Sequence, residues 1–147
     1  MIKNQRQYQL TRAQVARFEA VLADLTGRPP GADEHPRLRQ AQIDAVTGQR
    51  DALLAQLAEY DALASGQRPV LEFPFSELPQ GLIGARIASG MTQGELASRV
   101  GIKEQQIQRY EATDYASASF TRINEIIDVL GVRVRSELRF GDQRSSA

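Results

Sequence analysis

The sequence lacks several residue types on which many catalytic and metal sites depend. It has no cysteine, so a disulfide framework and thiolate chemistry are both excluded. Its single histidine, His35, cannot anchor a multi-histidine metal site. The sequence also shows no glycine-rich phosphate loop and no pair of acids with supporting partners. We therefore expect no enzyme activity, no metal and no cofactor.

Long apolar runs are missing as well. No segment approaches the length of a membrane span, and the start MIKNQRQYQL lacks the apolar core of a signal peptide. We therefore expect a soluble cytoplasmic protein. Of the 147 residues 41% are hydrophobic, which is enough for a modest core in one domain or two small ones.

The chain also has no excess of positive charge. Lysine and arginine together number 18, and so do aspartate and glutamate. Because DNA-binding domains are often strongly basic, this balance predicts a weak non-specific attraction to phosphate. It does not exclude DNA binding, since helix N-termini can bind phosphate through main-chain amides and a dimer doubles the contacts.

Residues 91–119 form the most informative stretch, MTQGELASRVGIKEQQIQRYEATDYASAS. The pattern predicts two short helices joined by a glycine turn. Thr92 and Glu95 have the spacing of a capping box at the start of the first helix. Gly101 is suited to the left-handed residue that ends it, and the second helix starts near Lys103.

The second of these helices has one apolar side and one polar side. Ile107 and Tyr110 lie at the i, i+3 spacing of an inward face. The outward residues are Glu104, Gln105, Gln106, Gln108 and Arg109. Glutamine can pair bidentately with adenine and arginine with guanine in the major groove, so this face is suited to reading bases. The alternative is an ordinary solvated helix face.

The motif T-Q-x-E-L-A-x-x-V-G-I, followed by R-Y-E, resembles the helix-turn-helix of the phage-repressor, or XRE, family of transcriptional regulators. The resemblance covers about residues 76 to 131. It implies that Gln93 contacts the DNA backbone and that the second helix faces bases. Two residues depart from the family pattern: Lys103 stands where a serine or threonine cap is more common, and Glu104 places an acid near the groove.

The loop after the second helix is rich in small polar residues that could approach phosphates, although Ser119 is also suited to capping the next helix. The candidate DNA contacts are Thr92, Gln93, Lys103, Glu104, Gln105, Gln106, Gln108, Arg109, Ser117 and Ser119.

The N-terminal half predicts two helices of unequal length. Residues 1–10 are polar and expected to be loose, and Thr11 is expected to open a helix that Gly27 closes. A longer helix, from Pro36 to about Ser65, would span about 45 Å at ~1.5 Å per residue. The first helix bears an apolar stripe at Val15, Phe18, Leu22 and Leu25. Along one side of the longer helix, residues recur at spacings of three and four; they are Ile43, Val46, Arg50, Leu53, Leu57, Tyr60 and Ala64.

The side of the longer helix that carries these residues is its apolar seam, and the first helix is too short to cover all of it. The rest requires a second copy, the downstream domain or another protein. The hairpin could therefore serve only for dimerisation or spacing, or it could bind a partner protein.

After the motif, a third helix is expected to close the core with Phe120, Ile123, Ile126, Ile127 and Leu130. Residues 132–140 then alternate with a two-residue period, which predicts a strand whose apolar face carries Val132, Val134, Leu138 and Phe140. A lone strand leaves its backbone groups unpaired, so we expect it to pair with the same strand of a second copy. Pairing with Val70–Phe73 of the same chain is the alternative. The segment resembles the dimerising strand of Hip-type antitoxins.

The predicted fold is mainly α-helical. It has an N-terminal, coiled-coil-like helical hairpin (residues 1–65), a linker (66–75), a five-helix-type helix-turn-helix domain with a C-terminal β-strand (76–140) and a disordered tail (141–147). The expected function is that of a homodimeric repressor on a palindromic operator. The extra helical hairpin, together with the resemblance, further suggests an autoregulating antitoxin whose N-terminal helices hold a toxin. The alternative is a protein-interaction module that does not bind DNA.

Overall fold

The computed structural model describes residues 1–66 and 72–140, and this part of the chain is mainly helical. The helices are α1 (Gln5–Gly27), α2 (Pro36–Ala64), α3 (Leu78–Ala88), α4 (Gln93–Val100), α5 (Glu104–Ala112) and α6 (Phe120–Leu130), with a 3-10 turn at Phe75–Glu77 before α3. The predicted tail 141–147, and residues 67–71 of the predicted linker, lie outside the described residues.

Helix α1 begins earlier than its sequence pattern predicts. The Asn4 side-chain oxygen accepts the Gln7 amide hydrogen at 2.9 Å and caps the first turn. Ile2 is only 4% exposed. The expectation that residues 1–10 are loose, with a helix opening at Thr11, was therefore wrong. This mostly polar segment contains one buried apolar residue, Ile2, and the helix-capping residue Asn4.

Helices α1 and α2 pack side by side in opposite directions. Val15 of α1 and Leu57 of α2 are buried together with Ile2. Near the same end, the Tyr8 hydroxyl donates to the Asp61 carboxylate at 3.1 Å, and the Tyr8 and Tyr60 ring centroids are 5.0 Å apart. These contacts close the hairpin at the end nearer to the helix-turn-helix.

The C-terminal end of α2 packs against the second half of the molecule. Tyr60 and Leu63 lie against the core formed by the later helices. Gly84 of α3 lies at this contact; a Cβ atom at that position would be 3.5 Å from a Leu63 methyl carbon, which is an ordinary van der Waals distance. Of the three ways to cover the apolar seam of α2, the structure shows the downstream helices covering its end.

Helices α3 to α6 enclose the larger core. Its central side chains come from all four helices and are fully or almost fully buried; they include Leu82, Ile83, Leu96, Ile107 and Ile126. Their burial fixes α5 on a scaffold of three neighbouring helices. In the described part of the chain, no helix is both long and apolar enough to cross a membrane.

The predicted C-terminal strand is not formed. Residues 132–140 have no regular secondary structure, and no β-strand occurs anywhere in residues 1–66 or 72–140. A strand requires a neighbouring backbone to complete its hydrogen bonds, and the described residues provide none. Val132 packs against the core, whereas Leu138 and Phe140 are 87% and 96% exposed.

The packing of α2 on α1 predicts that replacing two leucines of α2 by alanine lowers the free energy of unfolding by different amounts. Leu57 is 8% exposed, and Leu54, one turn earlier, is 40% exposed. We expect Leu57→Ala to lower the free energy of unfolding by about 2–4 kcal/mol, and Leu54→Ala to lower it by less than about 1 kcal/mol. Urea denaturation followed by circular dichroism measures both. Equal losses in the two variants would contradict the hairpin packing described here.

Candidate nucleic-acid interface

Helix α4 begins with the predicted capping box. The Glu95 amide donates to the Thr92 hydroxyl oxygen at 3.1 Å, and the Thr92 amide donates to the Glu95 carboxylate at 2.7 Å. The hydrogen bond from the Thr92 amide is the main cause that holds the pKa of Glu95 below its usual range. The Thr92 hydroxyl therefore serves the helix start, at the surface where the sequence predicts a contact with the DNA backbone.

The turn between α4 and α5 is built as the sequence predicts. Gly101 has a φ of +82°, and the Ile102 amide donates to the Ala97 carbonyl at 3.0 Å, so the chain turns sharply after α4. Lys103 occupies the cap position of α5 without a side-chain cap hydrogen bond. Ile107 is fully buried and anchors α5 to the core.

The opposite side of α5 is open to solvent. Gln105, Gln106 and Arg109 are all exposed on it. They lie within little more than one helical turn, and their amide and guanidinium groups can both donate several hydrogen bonds. The structure brings these three predicted contacts together on one surface.

Glu104 and Gln108 interact with each other on this helix. The Gln108 side-chain amide donates to the Glu104 carboxylate at 3.2 Å. The same carboxylate lies over Gly94 of α4, where a Cβ atom would be 3.2 Å from its nearer oxygen. Glu104 therefore packs across the gap between the two helices, and the glycine leaves room for it.

Gln93, the residue after the Thr92 cap, points toward the C-terminal end of α5. Its side-chain nitrogen donates to the Glu111 carboxylate at 2.7 Å. Gln93 is partly buried. Its amide group thus already links the start of α4 to the end of α5.

Glu111 forms a buried ion pair with Arg86 that the sequence reasoning missed. The two Arg86–Glu111 hydrogen bonds measure 2.5 Å (from Nε) and 2.8 Å (from Nη2), and the side chains are 4% and 1% exposed. Arg86 also donates from Nη1 to the Met91 carbonyl at 2.8 Å. The available signal was an arginine at a core-facing position of α3, a helix in which Gln80 is the other polar side chain.

The loop after α5 contains two residues in the left-handed region, Asp114 (φ +48°) and Tyr115 (φ +59°). Tyr115 is 3% exposed and stacks on Tyr110, with ring centroids 6.0 Å apart, and burial raises its pKa. This packing gives the short loop a defined shape although its residues are not glycine.

The two predicted loop serines differ in their surroundings. The Ser119 hydroxyl oxygen accepts the Arg122 amide hydrogen at 3.1 Å and caps α6, although both serines are exposed. Ser119 therefore has the capping role that the sequence suggested. Any contact of Ser117 or Ser119 with phosphate remains a prediction.

Because the ion pair is buried, removing the negative charge of Glu111 is predicted to destabilise the protein strongly. We expect Glu111→Gln to lower the free energy of unfolding by about 3–5 kcal/mol, because it leaves the Arg86 guanidinium buried without a counter-charge. Glu125→Gln is the matched control, since its partner Arg122 is on the surface; we expect it to cost less than about 1 kcal/mol. Thermal and urea denaturation measure both. A small effect of Glu111→Gln would show that the pair is not buried as described.

Comparison with known proteins supports the same interpretation of this half of the chain. Residues 83–135 match the helix-turn-helix family model, a stretch that runs from α3 past the end of α6. No curated protein and no solved structure matches the chain at a significant level. The family match gives no specific relation to Hip-type antitoxins.

This family is one of DNA-binding regulatory domains and not of enzymes. Within residues 1–66 and 72–140, no group of three or more histidine, aspartate or glutamate side chains is arranged to hold a metal ion. The family match identifies residues 83–135 as a helix-turn-helix domain of the XRE type, so the chain carries the domain of a DNA-binding regulator.

Proposed function

We propose that the protein is a sequence-specific repressor that binds DNA as a homodimer, with α5 in the major groove. One observation carries this proposal. Helix α5 is anchored on one side by the fully buried Ile107 and Glu111 and presents Gln105, Gln106 and Arg109 on the other. A rigid helix with long donor side chains on one exposed face has the form of a recognition helix.

The roles of the individual side chains follow from their surroundings. Arg109 and Gln105 are exposed and suited to read guanine and adenine. Lys103, next to the turn, is suited to a phosphate. Gln93 sets the register mainly by holding the start of α4 against α5, because its side-chain amide already donates to Glu111. The first main-chain amides of α4 are then the natural phosphate donors.

Glu104 is proposed to restrict binding more than to promote it. Its carboxylate accepts from Gln108 and lies over Gly94, close to the first turn of α4. A negative charge there disfavours indiscriminate binding to phosphate. Together with the balanced net charge, this makes affinity depend on base contacts more than on general attraction.

The homodimer is proposed from symmetry and from the exposed C-terminal residues. A two-fold repressor places two recognition helices about 34 Å apart, one turn of DNA. Val134, Leu138 and Phe140 are exposed apolar residues in a segment without regular structure. Pairing with the same segment of a second copy would bury them and complete the backbone hydrogen bonds that the single chain leaves open.

A protein-interaction module that does not bind DNA is the competing proposal, and the balanced charge is what favours it. The antitoxin role rests on the resemblance stated above and on the apolar seam of α2 that α1 was expected to leave partly uncovered. The outer face of α1, where Leu10 is 63% and Val21 45% exposed, is one surface of the N-terminal helices that a toxin would have available.

The base-reading proposal predicts that two single changes each weaken specific binding. We expect Gln105→Ala and Arg109→Ala each to weaken binding to DNA from upstream of the protein's own coding sequence by about 1–3 kcal/mol, because each removes a bidentate base contact. Fluorescence anisotropy against a scrambled duplex, at two salt concentrations, measures the effect.

Gln14→Ala and Arg12→Ala, at exposed positions of α1, are the matched controls. We expect them to bind as the wild type does. If no duplex is bound specifically by the wild type, or if the α5 variants bind as tightly as the α1 controls, the interaction module replaces the repressor as the favoured function.

The dimer proposal predicts a specific dependence on the C-terminal residues. We expect Leu138→Ser combined with Phe140→Ser to shift the protein from dimer to monomer in sedimentation velocity, because the dimer buries both side chains. Leu10→Ser, at an exposed leucine of α1, should leave the dimer intact. A wild-type monomer, or a dimer that only Leu10→Ser disrupts, would contradict this assignment of the interface.

A further inference from the structure

Residues 2 to 4 are held in place although they precede α1. Ile2 packs with Val15 and Leu57 and is 4% exposed. The Lys3 amide donates to the Gln7 side-chain oxygen at 2.8 Å, and Asn4 caps α1. The position of Lys3 is therefore set by the hairpin.

The Lys3 main chain also forms a hydrogen bond with the buried ion pair at the C-terminal end of α5. Its carbonyl oxygen accepts a hydrogen bond from Arg86 Nη2 at 2.5 Å. Glu111 and the Met91 carbonyl accept the other hydrogen bonds that Arg86 makes. The guanidinium of an arginine that is only 3% exposed as a residue requires such partners, so the N-terminal segment is part of the same network.

The Lys3 side chain binds the end of α5 directly. Its ammonium donates to the Glu111 carbonyl at 2.5 Å and to the Asp114 carboxylate at 2.9 Å, and the side chain is 17% exposed. The last carbonyls of a helix have no partner within the helix and carry partial negative charge, so a cation there stabilises the helix end. Asp114 is also where the chain leaves α5 in the left-handed region.

We infer that Lys3 is a positioning residue for the recognition helix, and that it couples DNA binding to the docking of the α1–α2 hairpin. This inference rests on the proposed function of α5. Base contacts require side chains placed within a fraction of an ångström, so a helix end that loses its anchor loses specific contacts first. Lys3 has no phosphate role in this account, because its ammonium is held by Glu111 and Asp114.

The test uses the full chain with Lys3→Met, which keeps the aliphatic stem and the main-chain carbonyl and removes only the ammonium. Arg6→Met is the matched control, since it removes one positive charge from an exposed position of the same region. On the duplex that the wild type binds specifically, we expect Lys3→Met to bind about tenfold more weakly than Arg6→Met. Binding to a scrambled duplex and the dependence on salt should be the same for both.

Two other outcomes would overturn the inference. A salt dependence that falls by about one ion for Lys3→Met, with equal losses on specific and scrambled DNA, would make Lys3 a phosphate contact. Specific affinity equal to that of Arg6→Met would show that Lys3 does not affect the recognition helix. Asp114→Asn is the second variant; we expect it to weaken specific binding as Lys3→Met does, and the double variant to lose less than the sum.

Hydrogen exchange in the free protein tests the positioning without DNA. The Thr113 and Tyr115 amides donate to the Tyr110 carbonyl and close the end of α5, at 3.3 Å and 2.7 Å. We expect both to exchange about fivefold or more faster in Lys3→Met than in Arg6→Met. Unchanged exchange would overturn the inference even if the wild type binds DNA. Faster exchange, with no specific DNA binding by the wild type, would refute the proposed function and leave the anchoring of α5 in place.

Discussion

The buried ion pair between Arg86 and Glu111 is the interaction on which the geometry of the recognition helix depends. Its atoms bring together α3 and α5, and its hydrogen bonds extend to Gln93 at the start of α4 and to the Lys3 carbonyl. A buried pair of this kind contributes little net stability compared with apolar residues, but the loss of one partner is costly. Its main effect here is therefore to hold four segments in one arrangement.

This constraint links the two halves of the molecule. The hairpin does not contact the exposed face of α5, yet it positions Lys3, whose carbonyl and ammonium meet Arg86 and the end of α5. The apolar contacts of Leu63 with α3 act at a second point. A change in how the hairpin packs would therefore reach the recognition helix through short polar contacts as well as through the core.

The sequence was most informative where the determining interactions are local. The Thr92–Glu95 capping box, the Gly101 turn and the inward Ile107 each depend on residues within one or two turns, and all three were predicted. Features that depend on distant partners were missed. Arg86 carries no local sign of its buried partner. Phe120 has the spacing of a core residue but is 68% exposed at the start of α6. The two-residue alternation of 132–140 is typical of a β-strand, but a strand also needs a neighbouring strand, which this pattern cannot reveal.

The central claim is that α5 reads DNA while the hairpin stays outside the interface. Amide chemical shifts of the labelled protein, recorded as DNA from upstream of its coding sequence is added, test this most directly. We predict that the largest changes fall on residues 92–95, 103–109 and 113–119, with small changes along the outer face of α1. Changes concentrated on α1 or on residues 132–140, with α5 unaffected, would contradict it.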